Sequence, residues 1–136
     1  MYFTTEERRF LEENEVCRLA TCDKKGVPHV TPVCYIFKGD NFYIFTDYST
    51  KKLKNIKENP NVALVVDVYR QPRNKAVLII GKAEILERGN EYKQMYDLFY
   101  RKFDWVRRDP WNEGEAPLIK VIPEKKISWG LRRFIR

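Results

Sequence analysis

The stretch 41–60 constrains the fold most, because it joins a short apolar strand to a basic helix through a polar turn. Residues 42–45 are all apolar, whereas each of residues 46–50 carries a hydroxyl or a carboxylate. Leu53 and Ile56 recur three residues apart, so we expect one face of the helix to enter the core. A proline closes the stretch and ends the helix, because proline disfavours helical geometry in the residue before it.

The front of this helix gathers groups that attract anions. Lys51 and Lys52 follow Thr50 directly, and Thr46 lies at the end of the preceding strand. The first N–H groups of a helix have no partner inside the helix, and the helix dipole is positive at that end. The predicted ligand is therefore a phosphate monoester. The alternative is that the threonine is only a helix cap and that the lysines only solvate the helix.

Composition narrows the class of protein. The chain has 136 residues, 43% of them hydrophobic and 14% aromatic, which indicates one globular domain over 1–136. The net charge of +7 favours anionic ligands, nucleic acid or an acidic surface without choosing among them. No apolar run has the length of a membrane span or marks a signal region, so we expect a cytoplasmic protein with no membrane partner. Three cysteines without a CxxC pair and a single histidine predict no metal site.

Turn signals divide the chain into short strands. The spacing of Thr4 and Glu7 is that of a capping box and predicts a first helix, and Gly26 predicts a hairpin turn with a positive φ angle. Two prolines in the second strand favour an edge position or a local bulge. Val62–Val68 is typical of a strand buried on both faces. The predicted strands are Val16–Asp23, His29–Phe37, Phe42–Phe45, Val62–Val68, Lys75–Leu86, Leu118–Ile122 and Lys126–Trp129, with the last two expected to pair across Pro123.

The remaining segments predict a loop, a bulge and a helix. Tyr69–Asn74 contains a proline and is expected to be a loop, and Gly81 is expected to mark a bulge or bend. Asn90 is expected to cap a helix whose aromatic stripe packs in the core. Asp104–Ala116 is too long for a simple turn, so we expect it either to cover a ligand or to pack on its own barrel. The stripe consists of Tyr92, Met95, Tyr96, Phe99 and Phe103.

Together these elements predict a mainly β fold. Strands joined by consecutive hairpins, with a few short helices beside them, are typical of an antiparallel barrel. Counting these segments as six or so strands, we expect a six-stranded antiparallel split β-barrel in which the short helices pack around the strands. No internal repeat or low-complexity segment divides the chain further.

The order of these elements resembles the split-barrel flavoproteins of the pyridoxamine 5′-phosphate oxidase-like superfamily. In this pattern a strand leads through a turn with the motif GxPxxxP into a second strand. A later strand is followed by the motif T-x(3)-[ST]-[KR]-K and by a helix that ends in NP-x-V. It covers residues from about 16 to 86, and the closing IPEKKISWG is similar to the family's final strand. The segments that carry the resemblance are RLATCDKKGVPHVTPVCYIF, FYIFTDYSTKKLKNIKENPNVALVV and VLIIGKAEIL.

The resemblance implies a set of cofactor-binding residues. Thr46 matches a threonine that contacts the flavin, while Thr50, Lys51 and Lys52 match the residues that hold the phosphate of flavin mononucleotide (FMN). Trp129 matches an aromatic residue that the last strand places near the cofactor. The segment that matches the strand along the isoalloxazine ring consists of His29, Val30, Thr31, Pro32 and Val33.

The chain also departs from the pyridoxamine phosphate oxidases themselves. Thr31 and Ile36 stand where those enzymes carry an arginine and a lysine, and Ala76 stands where they carry a glutamine near the flavin ring. Their C-terminal arginine and histidine motif is not recognisable, and Arg132 and Arg133 are the candidates nearest to it. The chain therefore looks closer to the small, general flavin-binding or deazaflavin-binding members, and vitamin B6 oxidation is not the expected activity.

The resemblance implies an FMN-binding oxidoreductase that acts on a small substrate. It also implies a homodimer with the flavin between the subunits, in which the loop with Trp105 and Trp111 covers the partner's flavin or packs on its own barrel. A close alternative is a reductase that uses the deazaflavin coenzyme F420, because it presents a phosphate to the same helix. A further class is a non-catalytic barrel that binds flavin, haem or nucleic acid. Nucleic acid is the least favoured of these, because the chain carries no nucleic-acid motif.

Overall fold

A computed structural model describes residues 1–131 of the chain. None of the helices in that range is long and apolar enough to cross a membrane. The helices are α1 (Thr5–Glu13), α2 (Lys51–Glu58), α3 (Asn90–Lys102) and α4 (Asp104–Arg108). The strands are β1 (Val16–Cys22), β2 (Pro28–Cys34), β3 (Ile36–Lys38), β4 (Asn41–Phe45), β5 (Asn61–Arg70), β6 (Arg73–Leu86) and β7 (Leu118–Trp129).

The strands form one sheet in the order β2-β1-β5-β6-β7-β4-β3, and every neighbouring pair is antiparallel. The two edge strands, β2 and β3, are consecutive along the chain and are separated by Tyr35 alone. The sheet therefore has to curl until its two edges meet at that residue. This arrangement confirms a mainly β, antiparallel fold with short helices.

The sheet has seven strands, so the prediction of six was wrong. The single strand expected over His29–Phe37 is broken at Tyr35. The backbone N–H of Tyr35 donates to the carbonyl of Glu15 at 2.9 Å, and its buried hydroxyl donates to the carbonyl of Leu11 at 2.6 Å. Tyr35 is the residue at which the chain passes from pairing with β1 to pairing with β4, and its bonds to Glu15 and Leu11 hold it there, so the predicted strand is divided in two.

The last two predicted strands are in fact one. β7 is a single strand that pairs with residues 76–86 of β6, so 118–122 and 126–129 do not pair with each other. The register shifts between Ile80 and Gly81, which confirms the predicted bulge. A Cβ atom on Gly81 would lie 2.2 Å from the carbonyl oxygen of Ile122, so this close approach requires glycine.

Several local predictions are confirmed. Thr4 and Glu7 form the capping box of α1, and Gly26 has a φ angle of +84° in the β1–β2 turn. Two others were wrong. The β5–β6 connection is a tight turn of two residues, because the strands extend to Arg70 and Arg73. Asn90 is the first residue of α3 and makes no cap, since Gly89 holds the N-cap position without a side-chain hydrogen bond.

Alternating residues of β4 divide the core into two clusters. Phe42 and Ile44 point into the barrel, whereas Tyr43 and Phe45 point towards α3. The aromatic stripe of α3 completes the second cluster, as predicted from its spacing. β5 differs from its prediction, because its residues alternate between buried and half-buried and only one face lies in the barrel core.

Because Phe45 lies at the centre of the second cluster, removing its ring is expected to lower the stability of the protein strongly. We expect Phe45→Ala to lower the free energy of unfolding by about 3–5 kcal/mol, as is usual for removing a core aromatic ring. Urea denaturation followed by far-ultraviolet circular dichroism measures the change. Tyr100→Ala is the control, because that side chain is 41% exposed on α3. A similar loss of stability in both variants would contradict the placement of Phe45 at the centre of the cluster. The rings around Phe45 belong to Tyr92, Tyr96, Phe99 and Trp111, at centroid distances of 5.4, 6.2, 4.9 and 5.1 Å.

Candidate functional site

Thr50 begins α2 as its N-cap. Its side-chain oxygen accepts from the N–H of Leu53 at 3.4 Å and donates to the carbonyl of Asp47 at 3.0 Å. The hydroxyl of Thr46 donates to the same oxygen at 3.1 Å. The backbone N–H of Thr46 also donates to the carbonyl of Pro117 at 3.2 Å. The loop between β4 and α2 is therefore fixed at both ends.

The front of α2 presents positive charge and free backbone donors. The N–H groups of Lys51 and Lys52 lie in the first turn, where no acceptor exists inside the helix. Lys51 is exposed, Lys52 is half-buried, and neither forms an ion pair within residues 1–131. No acidic residue lies in the first turn. These are the elements of an anion site, although the threonine hydroxyls serve first as capping groups.

A buried asparagine anchors α2 to the sheet. The Asn55 side chain is fully buried, and its Nδ2 donates to Oγ1 of Thr21 on β1 at 3.0 Å. At the end of the helix, Glu58 accepts from the backbone N–H of Lys24 at 3.2 Å. Sequence analysis missed Asn55, because a single polar residue among lysines gives no sign that it faces the core. Its position directly before Ile56, on the edge of the apolar face, was the available signal.

The predicted ring-side segment on β2 divides between two faces. His29 and Thr31 pair with Thr21 and Leu19, which point into the barrel, whereas Val30 is 64% exposed on the outer face together with Pro32. β2 is an edge strand, as its prolines predicted, so one side of its backbone is free of ladder partners. A flat ligand along this edge meets backbone groups first.

Three buried polar atoms near this segment have no hydrogen-bond partner within residues 1–131. They are Nδ1 of His29, Oγ1 of Thr31 and Oδ1 of Asn55. His29 pairs with Thr21 and Asn55 bonds to it, whereas Thr31 pairs with Leu19, two positions earlier on β1. Buried polar groups normally have hydrogen-bond partners, so these atoms on β2 and α2 are exceptions that have none within the described part of one chain.

Trp129 lies far from the other predicted cofactor residues. It pairs with Ala76, and its Nε1 donates to the hydroxyl of Tyr69 at 2.9 Å. Leu118, eleven positions earlier on the same strand, pairs with Phe45 beside Thr46. At about 3.3 Å per residue the two ends of β7 are roughly 35 Å apart. One chain therefore does not bring Trp129 and Thr46 to the same ligand.

The loop after α3 packs on its own chain. The indole Nε1 of Trp111 donates to the hydroxyl of Tyr92 at 3.0 Å, and its ring contacts Phe45 at 5.1 Å. Trp105 stacks on Trp111 with ring centroids 6.2 Å apart and 42% of its surface exposed. These contacts show that Asp104–Ala116 packs on its own chain, and the alternative that it also covers a partner's flavin stays a prediction.

The residues that depart from the oxidase pattern have other roles here. Ile36 points into the cluster beneath α3, and the side chain of Ala76 is fully buried. Arg132 and Arg133 lie outside the described residues. Among residues 1–131 no group of histidine, cysteine and acidic side chains is arranged to hold a metal ion. Cys17 is fully buried, and this burial raises the pKa of its thiol to about 12, whereas Cys22 and Cys34 are only half-buried.

Comparison with known proteins gives consistent results. The sequence profile of the pyridoxamine 5′-phosphate oxidase family matches residues 3–129. The pyridoxine/pyridoxamine 5′-phosphate oxidase of Rippkaea orientalis is 34% identical over 152 aligned positions, which cover 90% of this chain and 70% of that enzyme. Across the curated relatives it matches, the chain spans between 26% and 70% of their length.

Solved structures agree on the fold and differ in what they bind. An FAD-binding protein from Mesorhizobium loti is 27% identical, with a TM-score of 0.72 and 93% of each chain covered. The haem storage protein HutZ of Vibrio cholerae is 19% identical, with a TM-score of 0.79 and coverage of 93% of this chain and 94% of HutZ. At that identity the likeness to HutZ concerns the fold alone. Taken with the match over residues 3–129, these results show that the chain belongs to the pyridoxamine 5′-phosphate oxidase family.

Proposed function

We propose that this protein binds FMN in a groove between two copies of the chain and acts in the cytoplasm as an oxidoreductase on a small substrate. The observation that carries the proposal is the front of α2, where a capped helix presents free N–H groups and two lysines to the same place. A flavin supplies the redox chemistry when bound, and the protein supplies binding and orientation. The residues below are assigned on that basis.

The phosphate of FMN is assigned to Lys51, Lys52 and the first N–H groups of α2. The charge is suited to this ligand because the phosphate is an anion and no carboxylate in the first turn competes for the lysines. Thr50 and Thr46 hold the loop in the shape that aims these donors. The arginine that the oxidases carry on the second strand is replaced here by Thr31, which pairs with Leu19 on the barrel-facing side.

The ring of the flavin is assigned to the free edge of β2. Backbone groups of Val30 and Pro32 face that edge, and the unpartnered Nδ1 of His29 and Oγ1 of Thr31 lie just behind it. These polar atoms suit a heterocycle that has several donors and acceptors. The chain's residues there bind and orient the ring, and we assign no residue as a protein nucleophile.

A second copy of the chain is required to complete this site. Trp129 is too far from Thr46 to share a ligand within one chain, so it is assigned to the partner's flavin. The outer face of the sheet offers a surface for pairing, because Val30, Ile80 and Ile127 are 64%, 44% and 57% exposed there. Exposed apolar side chains in neighbouring rows of one sheet are typical of a protein–protein interface.

Coenzyme F420 remains an alternative ligand for the same helix, because its phosphate would meet the same donors. The family likeness also includes proteins described as binding FAD or storing haem. Haem is less suited here, because His29 is the only histidine of the chain and its Nδ1 is buried. The visible spectrum of the purified protein, with the released cofactor identified by mass, separates flavin, deazaflavin and haem.

Substitutions along α2 test the phosphate assignment. We expect Lys51→Ala or Lys52→Ala to weaken FMN binding about tenfold or more, because a hydrogen bond to a charged group contributes roughly 1.5–3 kcal/mol. Adjacent helical residues diverge by about 100°, so one of the two lysines should matter more than the other. Titration of flavin fluorescence with the apoprotein measures the affinity.

The control variants are Lys54→Ala and Lys57→Ala, which remove the same charge from exposed positions of the same helix. Riboflavin, which lacks the phosphate, should bind more weakly than FMN and respond little to any of the four changes. If all four weaken FMN binding equally and salt removes the effect, the helix attracts anions only diffusely. Equal affinity for FMN and riboflavin would also reject the phosphate site.

Oligomeric state tests the shared groove. We expect a homodimer in sedimentation velocity, and we expect Ile127→Asp to produce monomers that bind FMN at least about tenfold more weakly, because the charge lies within the apolar face. Val27→Asp is the matched control, since Val27 is also 57% exposed but lies in the β1–β2 turn. A monomer of the unaltered chain that carries stoichiometric flavin would refute the shared groove.

A further inference from the structure

A cavity of about 410 Å³ lies between the end of β4 and the segment that follows α3. Its volume is within the range of pockets that hold small molecules. It adjoins the candidate phosphate site at Thr46 but opens on the α3 side of the sheet. The residues that line it are Phe45, Thr46, Asp47, Trp105, Asp109, Trp111 and Ala116.

The walls of this cavity are aromatic and are held in place. Trp111 is fixed by its hydrogen bond to Tyr92, by the donation of its backbone N–H to the hydroxyl of Tyr96 at 3.3 Å, and by the edge of Phe45. Trp105 lies nearly parallel to Trp111, with 17° between the ring planes. Trp111 thus offers a fixed π surface, and the half-exposed Trp105 adds a second ring beside it.

The polar part of the cavity is acidic. Asp47 and Asp109 line it, and neither forms an ion pair within residues 1–131. Two unpaired carboxylates in one cavity are unexpected in a chain with a net charge of +7. The cavity therefore has the opposite charge to the front of α2, although Thr46 belongs to both.

The arginines nearest along the chain are bound elsewhere. Arg107 donates to the carbonyls of Tyr100 and Arg101 at 2.6 and 2.9 Å. Arg108 pairs with Asp104 at 2.6 Å. Neither arginine lines the cavity, so these cations do not neutralise its carboxylates.

We propose that this cavity is a binding site for a small organic cation with an apolar body, such as a quaternary or protonated amine. Cations are attracted to the face of tryptophan more strongly than to the other aromatic rings, and a carboxylate nearby adds direct attraction. The apolar remainder of the ligand would contact Phe45 and Ala116. Thr46 lines both sites, but Trp105, Asp109 and Trp111 do not belong to the phosphate site, so the two bindings can be tested separately.

Choline is a suitable probe, and 3,3-dimethylbutan-1-ol is its uncharged counterpart of the same shape. We expect isothermal titration of the flavin-free protein to show saturable binding of choline and at least about tenfold weaker binding of the alcohol. Trp105→Leu should weaken choline binding about threefold to thirtyfold, with Trp105→Phe between the two, as expected for cation–π contacts. Circular dichroism and thermal unfolding of each variant establish that it is folded.

Asp109→Asn should weaken choline binding several-fold, whereas the control Asp97→Asn should not, because Asp97 lies on α3 in an ion pair with Arg101. Equal binding of choline and the alcohol, no effect of Asp109→Asn, or no saturable choline binding would each overturn the proposal. FMN titration of the same variants keeps the two questions apart. Failure of the unaltered chain to bind FMN refutes the proposed function, whereas failure of the unaltered chain to prefer choline over the alcohol refutes this site.

Discussion

The burial of β4 on both faces holds the molecule together. Phe42 and Ile44 belong to the barrel interior, and Tyr43 and Phe45 belong to the cluster beneath α3, so one strand of five residues joins the two cores. The strand pairs with β3 on one side and β7 on the other, which leaves no backbone group of its middle residues to water. Both candidate sites begin where this strand ends, at Thr46, and their positions are therefore set by the most buried part of the fold.

The loop after β4 is held rigidly and therefore fixes where the charged groups on either side of it lie. The hydroxyl contacts among Thr46, Thr50 and Asp47 direct the first turn of α2, and Asn55 fixes the far side of the helix on β1. A helix held in this way presents its positive end without the entropy cost of ordering a loop on binding. On the other side of Thr46 the carboxylates of Asp47 and Asp109 reverse the sign of the field. One short loop thus separates a cation-rich from an anion-rich surface.

Much of the fold was predictable because its signals are local. The capping box of Thr4 and Glu7, the turn at Gly26 and the spacing of the α3 stripe depend on neighbouring residues alone. The break at Tyr35 was not predictable, because it depends on a hydrogen bond to Leu11, a contact across 24 positions. The continuity of β7 across Pro123 was not predictable for the same reason, because it depends on the close approach of Gly81 on β6, a strand distant in the sequence.

The candidate site also combines features that neighbouring residues predict with features that depend on residues far apart in the sequence. The front of α2 was predictable because Thr50, Lys51 and Lys52 are consecutive and the physics of a helix end is local. Asn55 was not, since its partner Thr21 lies 34 positions away. The acidic cavity was not predicted either, because Asp47 and Asp109 lie 62 positions apart and meet only through the packing of Trp111 on Phe45.

The separation of Trp129 from Thr46 sets a limit on what one chain can do. A ligand bound only at the front of α2 would leave its ring exposed at the edge of β2, where water competes for every polar contact. A second copy placed on the outer face of the sheet would exclude that water and would add the indole of Trp129. The same pairing would cover Asp67, whose carboxylate lies 3.4 Å from Arg18 and is only 18% exposed within one chain. Cofactor binding and pairing of the two copies are therefore expected to strengthen each other, because each excludes water from a surface at which the other makes its contacts.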